Sequence, residues 1–206
     1  MQYQQKMKIT PKNIKKITNQ SVRKSLYERI TNIYSSANQL SDVDIASFVN
    51  KYIPGIPLCC VNLKSYADAD FITNKIEKWH HCFLLINTAL ERTAQGEHWL
   101  IYDKKDQDFF DSRGEAPESY KEGGIWALPA KSYNGDKLQS ENSIACGHYC
   151  CAYMYGKKFN LTICELIKKD TPKSEYERQE MDLAVMAWFY SFNLTKKNGN
   201  FCNTKT

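Results

Sequence analysis

Cys146 stands where a polar run, "LQSENSI", gives way to an apolar one, "ACGHYCCAYM", with Gln139 seven residues ahead of it. A cysteine that opens a helix meets unpaired N–H groups and the positive end of the helix dipole, and both favour the thiolate. A thiolate is a nucleophile for carbonyl carbon, so the matching partners are a general base and an oxyanion donor. His98, at the start of an apolar stretch after the turn "QGE", supplies an imidazole. Asp111, near the end of the next apolar stretch, supplies a carboxylate that can orient it. Gln139 can offer its side-chain NH₂ to a developing oxyanion, with the Cys146 backbone N–H as the second donor. Gly147, next to the nucleophile, is expected to leave room for a substrate backbone. Each residue alone is commonplace; the order His, Asp, Gln, Cys at element edges is what points to acyl transfer.

The other candidate groups read differently. His80 and His81 follow Trp79 with no evident partner. His148 lies two residues after Cys146 and so faces away from it on a helix, while Cys150, four residues on, shares its face but lies one turn deeper. Trp99 reads as a packing wall beside His98. The eight cysteines include two adjacent pairs, Cys59-Cys60 and Cys150-Cys151, and no CxxC. Neighbours on one element point in different directions, which serves a tetrahedral zinc site poorly. No metal, cofactor or disulfide is expected, and most of these thiols read as small buried hydrophobes.

The elements that must carry these residues are visible as patterns. Strands are expected over 81–89, 98–105 and 107–114, the last two joined through the charged "DKKD" turn as a hairpin. As antiparallel neighbours they would place His98 and Asp111 at one end of a sheet. A short strand is expected at 125–129, and helices at 146–156 and about 174–192. "QLSDVDIASFVNKYIPGIP" reads as a helix capped by Ser41, with an apolar face of Val43, Ala46, Phe48 and Val49, ended by Pro54, Gly55 and Pro57. Residues 1–38 are polar and basic, with Lys6, Lys8, Lys12, Lys15, Lys16 and Lys24, and a helix is expected from about Asn13 to Tyr34. The domain division is therefore a basic N-terminal extension, 1–38, and a domain, 39–206.

At 42% apolar and 13% aromatic residues the chain can build a core, which argues against global disorder. A net charge of +5 permits an acidic partner without requiring one, and the lysines of the extension are where DNA would be met; their plain alternative is a solvated face. No run approaches ~20 apolar residues, so no membrane-spanning helix is expected. The start lacks an apolar signal core, so secretion is not expected.

"INTALERTAQGEHWLIYD", "DFFDSRG" and "LQSENSIACGHYCCAYM" together resemble the core of the adenovirus maturation protease (adenain) family, over roughly Leu40 to Tyr155. The family has a similar "NTA…GG.HW" run, an acidic residue at a strand end, and a Gln seven residues before "ACG..CC". The resemblance implies an α+β fold: a mixed, mainly antiparallel central sheet flanked by helices, with the nucleophile at a helix N-terminus. It implies His98 as base, Asp111 as its orienting acid, Gln139 in the oxyanion hole and Cys146 as nucleophile. It further implies a cysteine endopeptidase that trims viral capsid or core precursor proteins during virion assembly, acting in the virion and the host cytoplasm or virus factory, in a virophage or Maverick/Polinton-type element. The family's activating peptide binds through a cysteine between the acid and the Gln; 111–139 contains none, so no disulfide-linked activator is expected. SUMO-deconjugating proteases share the residue order but usually carry "DCG" with the Gln one residue nearer, which makes a ubiquitin-like-protein deconjugase the alternative reading. A non-catalytic virion or nucleic-acid-binding protein with this fold is the second alternative.

Overall fold

The chain divides into two units, 1–38 and 39–206. The computed structural model describes residues 39–62, 77–88, 98–120 and 128–194, all in the second unit. The expected helix at 13–34 lies outside the described residues.

The described residues are α+β: five strands in one mixed sheet, packed with helices. The strands are β1 (Leu58–Asn62), β2 (Phe83–Asn87), β3 (Trp99–Asp103), β4 (Asp108–Phe110) and β5 (Ser132–Tyr133), adjacent in that order. The centre, β2–β3–β4, is antiparallel, and each edge strand joins it in parallel. The three strands expected from sequence are β2, β3 and β4, with shorter bounds. β1 and β5 were not expected, and of the strand expected at 125–129 only 128 and 129 are described; they are not extended into the sheet.

β2 and β3 are buried along their full length, because side chains on both faces meet apolar partners. On one face Leu84, Ile86, Leu100, Tyr102 and Phe109 form a cluster closed by Trp79, Tyr120, Leu128 and Ala130. On the other face lies α2 (Cys146–Phe159), where Tyr153 stacks on Phe110 at 4.6 Å and donates to Asp108 at 2.8 Å. The hairpin between β3 and β4 is fixed by the Asp103 carboxylate, which accepts from Lys105 N at 3.0 Å, and by Gln107 at φ 54°.

α1 (Asp42–Tyr52) begins with a reciprocal cap: Asp44 N donates to Ser41 Oγ, and Ser41 N donates to the Asp44 carboxylate. Its buried side chains are Ile45, Phe48 and Val49, an i, i+3, i+4 set. Val43, expected on that face, is 71% exposed: it falls outside the stripe that starts at Ile45. The helix ends at Tyr52, before Pro54 and Gly55, as the sequence suggests. α3 (Ile163–Ile167) is one short turn capped by Thr162 and Glu165. α4 (Glu175–Leu194) brings Trp188, Phe189 and Phe192 against Phe48 of α1, with Tyr155 of α2 completing an aromatic seam between the three helices. Among the described residues no helix is long and apolar enough to cross a membrane.

Candidate active site

His98 immediately precedes β3 and Asp111 immediately follows β4. Because these strands are antiparallel, with Ile101 opposite Phe110, the two residues emerge at the same end of the sheet. His98 Nε2 and Asp111 Oδ1 lie 2.6 Å apart, and both residues are buried. Cys146 is the first residue of α2, and it too is buried. With Nε2 committed to Asp111, Nδ1 is the ring nitrogen left for the thiol. Nδ1 makes no hydrogen bond, and Cys146 lies close enough to the imidazole to favour its protonated form. Such contacts are commonly loose until substrate arrives.

Electrostatics bind the pair. Burial works against the imidazolium, but the hydrogen bonds and charges of Asp111 and Cys146 outweigh it, so His98 titrates above its ordinary value. Burial likewise works against the Asp111 carboxylate, yet the bond and charge of His98, the Tyr120 hydroxyl and the Arg113 N–H hold it below the usual range.

The turn after β4 does more than carry Asp111. Arg113 N donates to Asp111 Oδ1 at 2.8 Å, and Tyr120 Oη donates to Oδ2 at 2.5 Å, so both carboxylate oxygens are held. Asn134 accepts from Asp111 N at 2.8 Å and donates to Asp111 O at 2.5 Å, fixing the backbone. The next residue, Ser112, accepts at its carbonyl from Leu138 N and Gln139 N at 2.9 and 2.8 Å. Its hydroxyl donates to Gln139 Oε1 at 2.5 Å. Gly114 closes the turn at φ 75°, and a Cβ there would stand 2.8 Å from Lys137 N. Only glycine combines that φ with so close a backbone.

Gln139 is fully buried, and its amide orientation is fixed at both ends: Oε1 accepts from Ser112, and Nε2 donates one hydrogen to Ser143 O at 2.7 Å. The amide has two N–H donors, so one remains for a ligand. The structure thus brings the four expected residues into one site: His98 paired with Asp111, Cys146 acting on His98, and Gln139 tied to the residue next to Asp111.

Gly147 does not serve the role expected of it. A Cβ at that position would meet Leu40 Cβ at 2.9 Å, Ile45 Cδ1 at 3.3 Å and Trp99 Cδ1 at 3.4 Å. The space beside Gly147 is filled by the protein's own core, and glycine is needed for α2 to approach α1 and β3. Trp99 is the packing wall expected: its Nε1 donates to Leu40 O at 2.9 Å and its carbonyl accepts from Cys150 Sγ at 3.5 Å. His148 points away from the thiol, as expected, into α4, where its ring lies edge-on to Phe189 with Nε2 3.3 Å from Tyr190 Oη.

Tyr120, Ser112 and Asn134 were not picked out from sequence. Their residue types are common in loops, and their partners are 9, 27 and 23 positions away. Among the described cysteines, Cys82, Cys150 and Cys151 are buried as expected, whereas Cys60 is exposed. Among the described residues no cluster of His, Cys, Asp and Glu could hold a metal ion. No protein-family model matches the sequence, and no curated protein matches it significantly.

Proposed function

We propose that this protein is a cysteine endopeptidase of the adenain type that cleaves viral capsid or core precursor proteins during virion assembly. The observation that carries the reading is the 2.6 Å His98–Asp111 pair, buried beside a cysteine at a helix start, with the Gln139 amide locked next to them. The Cys146 thiolate attacks the scissile carbonyl carbon. Its oxygen gains the negative charge and is met by the free N–H of Gln139 and the N–H of Cys146. The His98 imidazolium passes its proton to the leaving amine as the C–N bond breaks, leaving a thioester on Cys146. His98, now neutral, takes a proton from water, the hydroxide displaces the thiolate, and the carboxylic product leaves. Asp111 holds the ring and stabilises its charged form throughout.

The viral setting and the precursor substrates rest on the motif resemblance, as does action in the virion and in the host cytoplasm or virus factory. DNA contact through the basic extension, and independence from a disulfide-linked activating peptide, belong to the same reading. Co-expression with capsid and core precursors of the same element, followed by mapping of new N-termini, tests it. New termini that vanish with Cys146→Ala support the proposal; their absence, alongside cleavage of a ubiquitin-like conjugate, would move the same chemistry to deconjugation. A protein inert to both and to iodoacetamide at neutral pH would be a non-catalytic fold.

A further inference from the structure

A buried carboxyl outside the triad holds the loop that carries Gln139. Asp182 lies in α4 and is buried. Its Oδ2 accepts from Ser140 Oγ at 2.5 Å and from Ser140 N at 3.3 Å, directly after Gln139 in the chain. Its Oδ1 lies 2.9 Å from the hydroxyl of Tyr149, and that hydroxyl lies 3.0 Å from the carbonyl of Leu138, directly before Gln139. Tyr149 is itself three residues beyond Cys146 in α2. One carboxyl thus reaches both neighbours of the oxyanion residue and the helix of the nucleophile. A second tie from α4, Glu141 N to Glu175 Oε1 at 3.0 Å, secures the outer end of the loop.

We propose that Asp182 is a positioning residue for the oxyanion hole, fixing from α4 the loop that aims the Gln139 amide at the carbonyl attacked by Cys146. The inference rests on the hydrolase reading above. It also specifies a form of the carboxyl. Tyr149 has one hydroxyl proton and two acceptors in range, Leu138 O and Asp182 Oδ1. A proton on Oδ1 satisfies all of them: Oδ1–H donates to Tyr149 Oη, which donates to Leu138 O. The groups facing the carboxyl are the hydroxyls of Ser140 and Ser143 in the loop and of Tyr149 on α2, with Cys164 of α3 acting on Tyr149 in turn. Burial pushes Asp182 up to about 6, against the pull of Ser140, Tyr149 and Ser143, in keeping with a carboxyl that retains its proton in mild acid.

The test is steady-state hydrolysis of p-nitrophenyl acetate, a small acyl donor that makes the same oxyanion, with melting temperatures for every variant. Asp182→Ala is expected to lower kcat by ~10- to 10²-fold with KM unchanged, since a misplaced donor costs transition-state stabilisation and not ground-state binding. Asp182→Asn, which can donate to Tyr149 and accept from Ser140, is expected to stay within about 3-fold of wild type. Gln139→Ala is expected to cost ~10²- to 10³-fold. In that background Asp182→Ala should add less than about 2-fold, because the group it positions is gone. Equal losses in both backgrounds, or no loss in either, overturn the role of Asp182. Should Asp182→Ala not melt cooperatively, Ser140→Ala, which cuts only the hydroxyl link, carries the same cycle with a smaller expected loss, and additivity with Gln139→Ala would overturn the proposal. Wild-type protein without turnover that Cys146→Ala abolishes would overturn the hydrolase reading itself, and this inference with it.

Discussion

At the scale of residues, the His98–Asp111 pair makes a definite statement about pH. His98 titrates above its ordinary value, so the imidazolium that the proposed mechanism uses to protonate the leaving amine persists above pH 6.5 and is lost as pH rises through the folded-state value. Asp111 titrates below 3.8, so its charge is lost only as pH falls through that lower value. The pair therefore contributes stability between these limits and loses it beyond either. In Asp111→Asn the amide can turn its NH₂ to Tyr120 Oη and keep its oxygen on His98, so the ring stays in place without a charge beside it. Activity is expected to fall ~10- to 10⁴-fold, with the alkaline limb of the kcat/KM profile moved to lower pH. An unmoved limb in that variant would remove Asp111 from the site. Cys146→Ala is expected to abolish processing and leave the melting temperature within a few degrees, because Ala fits a buried helix start; residual processing would mean another nucleophile. His98, Asp111, Gln139 and Cys146 were legible because their types announce chemistry and their spacing places them at element edges. Ser112, Tyr120, Asn134 and Asp182 were not, since a hydroxyl, an amide or a helix-borne carboxylate acquires its role only when the chain folds back upon it.

At the scale of elements, the position of α2 is set by what it lacks as much as by what it packs. Gly147→Ala would press a methyl into Leu40 Cβ at 2.9 Å. It is expected to cost about 1–3 kcal/mol by urea titration, as overpacking does, and to lower activity because Cys146 shifts with the helix. Loss of activity without loss of stability would point instead to a substrate contact. Phe48→Ala, at the centre of the aromatic seam, is expected to cost about 3–5 kcal/mol with little effect on chemistry in the protein that remains folded. His148 gives the same interface a pH dependence. Burial pushes its imidazole down to about 4, so between about 4 and 6.5 the unfolded chain binds a proton that the folded chain does not. Stability is expected to fall as pH drops through that window, by on the order of 3 kcal/mol, and His148→Gln should remove the slope relative to wild type measured at each pH. Asp182 has the opposite sign, losing stability as pH rises from about 4 to 6, which is why the paired comparison is the useful one. The central strands were legible as apolar runs bounded by turn signals, α1 by its cap at Ser41, and α2 and α4 by their apolar, helix-favouring composition. β1 and β5 were not: "LCCVN" is a short run without alternation, and β5 has two residues. α3 carried a readable signal in its Thr162–Glu165 capping box that length alone disguised.

At the scale of the whole molecule, every element of the site lies in the unit 39–206, so catalysis is expected to survive removal of residues 1–38. If the extension's lysines meet packaged DNA, stimulation by DNA should fade steeply with salt and disappear on that truncation, measured by peptide turnover in DNA titrations of both chains. An identical DNA response in both would assign the contact elsewhere, and a lowered melting temperature alone would make the extension structural. The fold class was legible through the motif resemblance, which implied α+β, and the run of strands β1–β5 followed by the run of helices α2–α4 agrees with it. The parallel edges were not, since nothing local marks the direction of a neighbour. The short turn from Asp111 to Gly114 has one more consequence. It orients the imidazole through its first residue and the oxyanion amide through its second. On the proposed mechanism, a nascent chain that has not closed this turn, and docked 138–139 upon it, has neither a primed base nor a place for the oxyanion. Its thiol is then merely a thiol. If the proposed protease reading holds, synthesis and folding proceed among susceptible proteins without self-inflicted cuts, and competence waits for the finished tertiary structure.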